Sequence, residues 1–151
     1  MTTPSDRQND SQVALNNLIR YLAIRDHSRL ELRQKLSARF TPEAVDTAIR
    51  HAEAQGLLTS EEEIADRLVE SFRRRMKSPR YIQVQLEKRG LPERQLDEES
   101  ELLAIRELLR RKFGEGGLPD ARQPEIIRFL KFRGFHDRAI KQVLNEERSG
   151  S

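Results

Sequence analysis

Residues 27–43 of this chain read HSRLELRQKLSARFTPE, and residues 77–93 read KSPRYIQVQLEKRGLPE. A shift of 50 residues superimposes the serine near the start of each stretch, the apolar residues that follow, and the Pro-Glu pair at the end. Apolar positions and helix-capping positions therefore recur together, which chance similarity between two leucine-rich helices would not readily reproduce. Such a recurrence is typical of a protein built from tandem structural repeats.

The repeated stretch belongs to a unit of three short helices. The first helix is predicted over residues 13–25 from apolar side chains at helical spacing, namely Leu15, Leu18, Ile19 and Leu22. Ser28 followed by Glu31 matches a capping box and begins the second helix. Thr41-Pro42 begins the third helix, and Gly56 ends it.

The same pattern continues to the end of the chain. A shift of 44 residues places Arg89-Gly90 of the second unit over Arg133-Gly134 of a third, and the inserted glycines of Gly114–Gly117 indicate a linker. We therefore predict an all-α protein of three stacked three-helix repeats, with nine helices. The predicted divisions are a disordered leader at 1–12, repeats at 13–58, 59–97 and 98–147, and a disordered tail at 148–151.

The composition excludes several classes of protein. Among 151 residues, 28 Lys and Arg against 25 Asp and Glu leave a net charge of +3. The chain contains no cysteine, which excludes disulfide scaffolds, thiolate zinc sites, thiol nucleophiles and iron–sulfur clusters. No apolar run approaches the roughly 20 residues that span a bilayer, and the polar residues 1–12 lack the apolar segment of a secretory signal. We expect a soluble, cytoplasmic protein.

No group of residues predicts catalysis or cofactor binding. The histidines His27, His51 and His136 lie far apart, and none has a partner at metal-ligand spacing, so we expect each to be structural. No Gly-Lys-Ser/Thr sequence follows the glycines of Gly114–Gly117, so they do not form a phosphate-binding loop. Glu61–Glu63 suits the first turn of a helix, where acidic groups complement the helix dipole. We expect no catalytic residue, no metal site, no cofactor and no enzymatic activity.

Basic residues, in contrast, are concentrated. Residues 71–95 hold eight cations and two acids, a local charge of 8 − 2 = +6, and four acids follow within residues 97–101. The residues that we predict to bind a partner protein or DNA are Arg73, Arg74, Arg75, Lys77, Arg80, Lys88, Arg89, Arg110, Arg111, Lys112, Arg128 and Lys131. Such a set suits phosphates or an acidic protein groove. The alternative is a solvated helix face whose charges form local ion pairs.

Three phenylalanines near the C-terminus raise the separate question of base stacking. Phe129, Phe132 and Phe135 resemble a cluster that binds the bases of a single strand, but Phe135 aligns with Leu91 and is predicted to lie in the core. The sequence therefore supports a stacking platform only weakly.

Several short motifs follow one another along the chain: residues 21–28 (YLAIRDHS), Glu31-Leu32, Lys35-Leu36, Gly56-Leu57, Phe72-Arg73, residues 86–91 (LEKRGL), residues 128–130 (RFL) and residues 133–135 (RGF). These motifs resemble those of the RecX family, bacterial regulatory proteins of the RecA recombinase. Their order and spacing, together with the repeat, make the resemblance specific over about residues 13–145. The chain departs from the family pattern at residues 58–60, where it has Leu-Thr-Ser in place of Leu-Asp-Asp, and at Ile64-Ala65, where the family usually has Phe-Ala. Thr and Ser preserve the helix cap.

The resemblance implies an elongated, curved array of three right-stacked three-helix repeats that has no catalytic activity. Members of this family bind in the groove of the RecA filament on DNA and inhibit filament growth, ATP hydrolysis, strand exchange and coprotease activity, in DNA repair, recombination and the SOS response. The implied partners are the RecA filament and, in addition, single- or double-stranded DNA, and we expect a monomer. The alternative is a helix-turn-helix-like module that acts on DNA directly.

Overall fold

The structure, a computed structural model, describes residues 7–115 and 120–149, with side chains as far as Glu147. The helices are α1 Ser11–Ile24, α2 Arg29–Leu36, α3 Pro42–Ala54, α4 Glu61–Arg74, α5 Pro79–Lys88, α6 Glu98–Phe113, α7 Gln123–Arg133 and α8 Asp137–Ser149, with a 3₁₀ turn at Asp120–Arg122. Two compact units are present. The first holds the chain up to Ala65 together with Glu87–Pro92, and the second holds Asp66–Leu86 together with the chain from Glu93 onward. None of the helices in the described ranges has the length and apolar character needed to cross a bilayer.

Side-chain caps determine where the helices of the first unit begin. Asp10 Oδ1 accepts hydrogen bonds from the first turn of α1, Ser28 and Glu31 form a reciprocal capping box on α2, and Thr41 caps α3. Each cap satisfies backbone N–H groups that have no partner inside the helix, and stabilises it by about 1 kcal/mol. The predicted starts at Ser28 and Thr41-Pro42 are confirmed.

The core of the first unit is formed by the inner faces of α1, α2 and α3, and α1 packs mainly against α3. Its buried side chains are Ala14, Leu15, Leu18, Leu32, Leu36, Phe40, Ala44, Val45, Ala48, Ile49 and Ala52. Full burial of each large side chain contributes about 1.5–3 kcal/mol. Ile19, which the spacing places on this face, is 44% exposed, because it lies one residue past Leu18 and at the edge of the apolar stripe.

The second unit has a core of its own between α6, α7 and α8. Its buried side chains are Leu102, Ala104, Ile105, Leu109, Ile126, Leu130, Phe135, Ala139, Ile140, Val143 and Leu144. Phe135 is 5% exposed, so its predicted place in the core is confirmed.

Each unit contains a joint of the same design, in which a buried serine connects two helix ends. In the first unit, Ser28 Oγ accepts the N–H of Glu31 at 3.1 Å and donates to the carbonyl of Arg89. In the second unit, Ser78 Oγ accepts the N–H of Tyr81 at 3.2 Å and donates to the carbonyl of Arg133. The sequence repeat relates the two serines to each other, and the structure shows what they contact.

A glycine follows the accepting carbonyl in each joint because the neighbouring helix passes too close for a side chain. A Cβ atom on Gly90 would lie 2.8 Å from Leu30 Cβ, and one on Gly134 would lie 2.6 Å from Arg80 Cβ. Leu30 and Arg80 each lie two residues after the joint serine. Both glycines also have a left-handed φ, +65° and +99°, which disfavours any other residue.

The second repeat lacks its predicted third helix. Residues 91–97 between α5 and α6 are not helical, so the described ranges contain eight α-helices rather than nine. Asp97 already caps α6, accepting the N–H of Ser100 at 2.6 Å. The few residues left between Leu91 and Asp97 are too short a segment to offset the cost of helix nucleation.

The described residues of the predicted leader and tail, 7–12 and 148–149, differ from the prediction of disorder. Residues 1–12 are expected to be disordered, but the N–H of Gln8 donates to the carbonyl of Arg39 and the N–H of Thr41 donates to that of Gln8, each at 2.8 Å. α1 then begins at Ser11, and α8 continues into the expected tail as far as Ser149, because no proline or glycine interrupts it earlier. Residues 1–6, 116–119 and 150–151 lie outside the described residues, and with them Gly116 and Gly117 of the expected linker.

Replacing Gly90 with alanine should destabilise the first unit more than replacing Gly56. The two glycines have similar φ values, +65° and +69°, so either alanine variant carries a left-handed penalty of about 1–2 kcal/mol. A Cβ on Gly56 meets nothing within 4 Å, whereas one on Gly90 meets Leu30, which adds about 1–3 kcal/mol of overpacking. Urea unfolding followed by circular dichroism measures the difference, and equal losses in the two variants would contradict the close approach at Gly90.

Candidate partner-binding surface

The turn between α4 and α5 carries five of the predicted basic residues, Arg73, Arg74, Arg75, Lys77 and Arg80. α4 ends in a Schellman motif, in which the N–H of Lys77 donates to the carbonyl of Phe72 at 3.0 Å and the N–H of Met76 donates to that of Arg73 at 3.1 Å. Met76 has a φ of 58°, the conformation that glycine usually supplies at such a position. Because no glycine marks it, this reversal was not evident from the sequence.

Two of these cations lie over aromatic rings. The guanidinium of Arg75 is 5.4 Å from the centroid of Phe72, and the ammonium of Lys77 is 4.8 Å from that of Tyr81. The two rings pack edge to face, with centroids 5.3 Å apart. A ring attracts a cation without neutralising its charge, so Arg75 and Lys77 keep their charge for an external anion.

Arg73 and Arg74 instead form ion pairs within the unit. Arg73 is hydrogen-bonded to Asp97 and lies 3.7 Å from Glu70, and Arg74 lies 3.9 Å from Glu70. Hydrogen bonds from Ser100 and, to a smaller extent, from Arg73 hold the pKa of Asp97 below its ordinary value. The alternative stated for the basic residues, that their charges form local ion pairs, therefore holds for Arg73.

The basic run at the end of α6 divides in the same way. Arg110 and Arg111 share the carboxylate of Glu107, at 2.7 Å and 2.9 Å. Hydrogen bonds from these two arginines lower the pKa of Glu107 to about 2. Lys112, in contrast, places its ammonium 3.8 Å from the centroid of the Phe129 ring.

A basic cleft of about 450 Å³ lies where the start of α5 meets the end of α7. It brings together Arg80 and Lys131, which the sequence predicts, with Arg94 and His136, which it does not, and Glu101 also lines it. The hydrogen bond from Ser78 to the Arg133 carbonyl connects these two helix ends. A carboxylate or a phosphate is the ligand that suits such a lining.

Two of the cleft cations already hold carboxylates of this chain. Arg94 Nε donates to Asp66 at 2.7 Å, and Lys131 Nζ lies 3.2 Å from Asp137. Arg80 is exposed and has no ion-pair partner among the described residues. An entering anion would therefore meet Arg80 first.

The remaining predicted residues lie elsewhere. Lys88 and Arg89 belong to the first unit, at the end of α5, where the carbonyl of Arg89 takes part in the joint. Arg128 is exposed on α7. Ten of the twelve predicted residues thus belong to the second unit, where the cleft joins Arg80 to Lys131.

Two of the histidines make contacts that fix helix ends. His27 is buried, with Nδ1 2.9 Å from the carbonyl of Arg25 and Nε2 2.8 Å from the ammonium of Lys35, and burial lowers its pKa. The backbone N–H of His136 donates to Glu101 at 2.8 Å. Within the described ranges, no three His, Asp or Glu side chains are grouped so that they could hold a metal ion.

Known proteins resemble this chain over most of its length. The family model for the first three-helix domain of RecX matches residues 14–51. The regulatory protein RecX of Leptothrix cholodnii is 31% identical over 136 residues, which cover 83% of each chain. The chain belongs to the RecX family.

Further RecX-family proteins extend the similarity. The regulatory protein RecX of Cronobacter sakazakii is 28% identical and covers 95% of this chain and 97% of its own. The crystal structure of RecX from Lactobacillus salivarius superimposes with a TM-score of 0.74 at 18% identity, covering 91% of this chain and 96% of that one. The resemblance to RecX and the all-helical fold are confirmed, and the relatives from Leptothrix cholodnii and Cronobacter sakazakii are named as regulatory proteins.

Sequence reasoning missed part of the cleft in this RecX-family protein. Arg94 lies inside the basic stretch but beyond α5, and a helical pattern gave no reason to select it. His136 lies two residues after Gly134 of the recurring Arg133-Gly134 pair. That pair is the sequence signal that could have pointed to His136. Both residues enter the cleft through tertiary packing, which local spacing does not encode.

The carboxyl group of Glu107 should titrate near pH 2. Its folded-state pKa lies below the ordinary 4.5 because Arg110 and Arg111 donate to it. The stabilisation of the folded protein by these ion pairs is therefore complete above about pH 4.5 and is lost as the pH falls toward 2. Salt weakens this stabilisation because the charged groups are exposed. Carboxyl-carbon NMR measures this pKa, which should return toward 4.5 in the Arg110→Gln/Arg111→Gln variant. An ordinary pKa in the unaltered protein would contradict the shared ion pair.

Proposed function

We propose that this RecX-family protein binds the RecA recombinase filament and inhibits filament growth, ATP hydrolysis, strand exchange and coprotease activity. The observation that carries the proposal is the similarity, over most of the chain, to proteins named regulatory protein RecX. The protein acts by binding, as a cytoplasmic monomer, and catalyses no reaction of its own. Its activity serves DNA repair, recombination and the SOS response.

The cations that keep their charge are the proposed contacts with the filament. Arg75 and Lys77 lie over rings, and Arg80 points a charge into the cleft; together they suit carboxylates or phosphates lining a groove. Complementary charges of this kind accelerate association and select the partner. Arg73, Arg110 and Arg111 are engaged in ion pairs, and they contribute by holding the helix ends in place.

Reversing the charge of the α4–α5 turn should weaken inhibition of the RecA filament. The variant is Arg75→Glu/Lys77→Glu/Arg80→Glu, and Arg73 and Arg74 are left unchanged because a carboxylate at either position would face Asp97 or Glu70. We expect the concentration for half-inhibition of DNA-dependent ATP hydrolysis to rise at least about tenfold, since several close charge pairs are lost.

The matched control carries the same charge change on the first repeat, at the exposed residues Arg20, Arg39 and Arg50. Arg20→Glu/Arg39→Glu/Arg50→Glu should inhibit within about twofold of the unaltered protein, because it leaves the proposed contacts unchanged and alters only the net charge, which affects mainly long-range steering. Circular dichroism checks that both variants are helical. Equal potency of the turn variant and the control would refute the assignment of the turn.

A second candidate function is direct binding to DNA, and the observation that favours it is the exposed Arg80 and Arg128, which have no ion-pair partner among the described residues. Titrating the inhibition against excess DNA separates the two functions. Inhibition that persists when DNA is saturating requires contact with the filament, whereas inhibition that disappears supports competition for DNA.

A further inference from the structure

Phe132 on α7 is the most exposed large apolar side chain in the described part of the chain, at 90%. Phe132 is not part of the core of this unit, in which Ile126 and Leu130 of α7 and the following Phe135 are the buried residues. A single exposed apolar residue is common in soluble proteins. The surroundings of Phe132 therefore decide whether it has a role.

Cations surround this ring along the helix. Arg128 lies one helical turn before Phe132, on the same face, and Lys131 and Arg133 adjoin it in sequence. All three are exposed. Phe129, three residues before Phe132, shares the face and is partly buried.

Further cations are held in place by the rings of Phe129 and Phe113. The ammonium of Lys112 lies 3.8 Å from the centroid of Phe129, and the guanidinium of Arg133 lies 4.7 Å from it. Arg122 lies 4.8 Å from the centroid of Phe113. Ring contacts fix the positions of these cations while leaving their charge unneutralised.

The carboxylates at this surface balance only part of the charge. Glu125 lies 3.4 Å from Arg122, and Asp137 lies 3.2 Å from Lys131. Of the five cations Lys112, Arg122, Arg128, Lys131 and Arg133, Arg122 and Lys131 are the two that lie at ion-pair distance from a carboxylate within the described ranges. Within the described ranges, Lys112, Arg128 and Arg133 have no carboxylate at ion-pair distance.

We propose that this face of α7 binds single-stranded nucleic acid, with one base stacked on Phe132 and the flanking phosphates held by Lys112, Arg128 and Arg133. An accessible aromatic ring next to cations supplies the two interactions that single-strand binding requires, stacking and phosphate contact. The site is separate from the α4–α5 turn and does not depend on the filament proposal; it rests on the second candidate function, direct binding to DNA, and gives that function a location.

The chemistry of the surface favours this ligand over the alternatives. In a duplex the bases are already stacked and paired, so an isolated ring has no base face to contact without unstacking. The buried centre of a protein–protein interface is usually depleted in charged residues and especially in lysine, whereas here Arg128 shares the face of the exposed ring and Lys112 and Arg133 lie over the neighbouring ring of Phe129.

The test is fluorescence anisotropy of the full chain, without recombinase, on labelled oligothymidine and oligouridine of about 20 nucleotides, a length that exceeds the usual single-strand site. Phe132→Ala should weaken binding about tenfold, within the range that loss of one stacked base produces. Phe132→Trp should restore it. Leu103→Ala is the matched control, because Leu103 is 53% exposed on α6 of the same unit, and it should change the affinity by less than about twofold.

The phosphate contact has a readout of its own. Arg128→Gln should reduce the slope of log affinity against log salt by about 0.7, the value for one single-strand phosphate. Weaker binding of both oligonucleotides by the Phe132→Ala variant supports the proposal for DNA and RNA, and an effect on one of them restricts it to that polymer. The proposal is overturned if the Phe132→Ala variant binds both oligonucleotides as tightly as the unaltered protein does, including the case in which this variant loses only its effect on the RecA filament. It is also overturned if the unaltered protein binds a duplex of the same length as tightly as it binds the single strands.

Discussion

A buried serine hydroxyl shared between two helix ends is the contact on which the rest of this fold depends. Ser28 and Ser78 each accept an N–H at the start of their own helix and donate to a carbonyl at the end of another. Without the hydroxyl, both backbone groups would be left without that partner inside the protein, at about 1–3 kcal/mol for each buried group. The hydrogen bond also requires close approach of the two backbones, and this explains the glycine that follows each accepting carbonyl.

The joint occurs in the described chain where both of its halves are present, a capping serine and an Arg-Gly pair. In the first repeat, the shift of 50 residues places Arg39-Phe40 at the position of Arg89-Gly90, so the glycine is missing. In the third repeat, Arg122 is at the N-cap position of α7 and makes no side-chain cap hydrogen bond. The first repeat therefore supplies the serine half and the third repeat supplies the Arg-Gly half. The second repeat supplies both halves, and it is short because its third helix is absent.

The cations of the second unit fall into two groups according to what holds them. Carboxylates hold Arg73, Arg110 and Arg111, and these pairs order the helix ends at little net charge. Aromatic rings hold Arg75, Lys77 and Lys112, which remain fully charged toward solvent. A RecX-family protein with a net charge of only +3 can in this way present strongly positive surfaces, and its affinity for acidic partners depends on the second group.

The sequence by itself determined the helical class, the repeat, the capped starts of α2 and α3, the burial of Phe135 and the family. All of these follow from local spacing, because capping and amphipathic periodicity involve residues within a few positions of one another. The absent third helix of the second repeat, the reversal at Met76 and the cleft joining Arg80 to Arg94, Lys131 and His136 were decided by the tertiary structure. So was part of the division of cations between carboxylates and rings, because Asp97 and Phe129 become partners of Arg73 and Lys112 only after the helices have packed. The pairs of Glu107 with Arg110 and Arg111, in contrast, lie within one turn of α6. A charge pattern along the chain shows which residues can bind an anion, and packing decides which of them are left to do so.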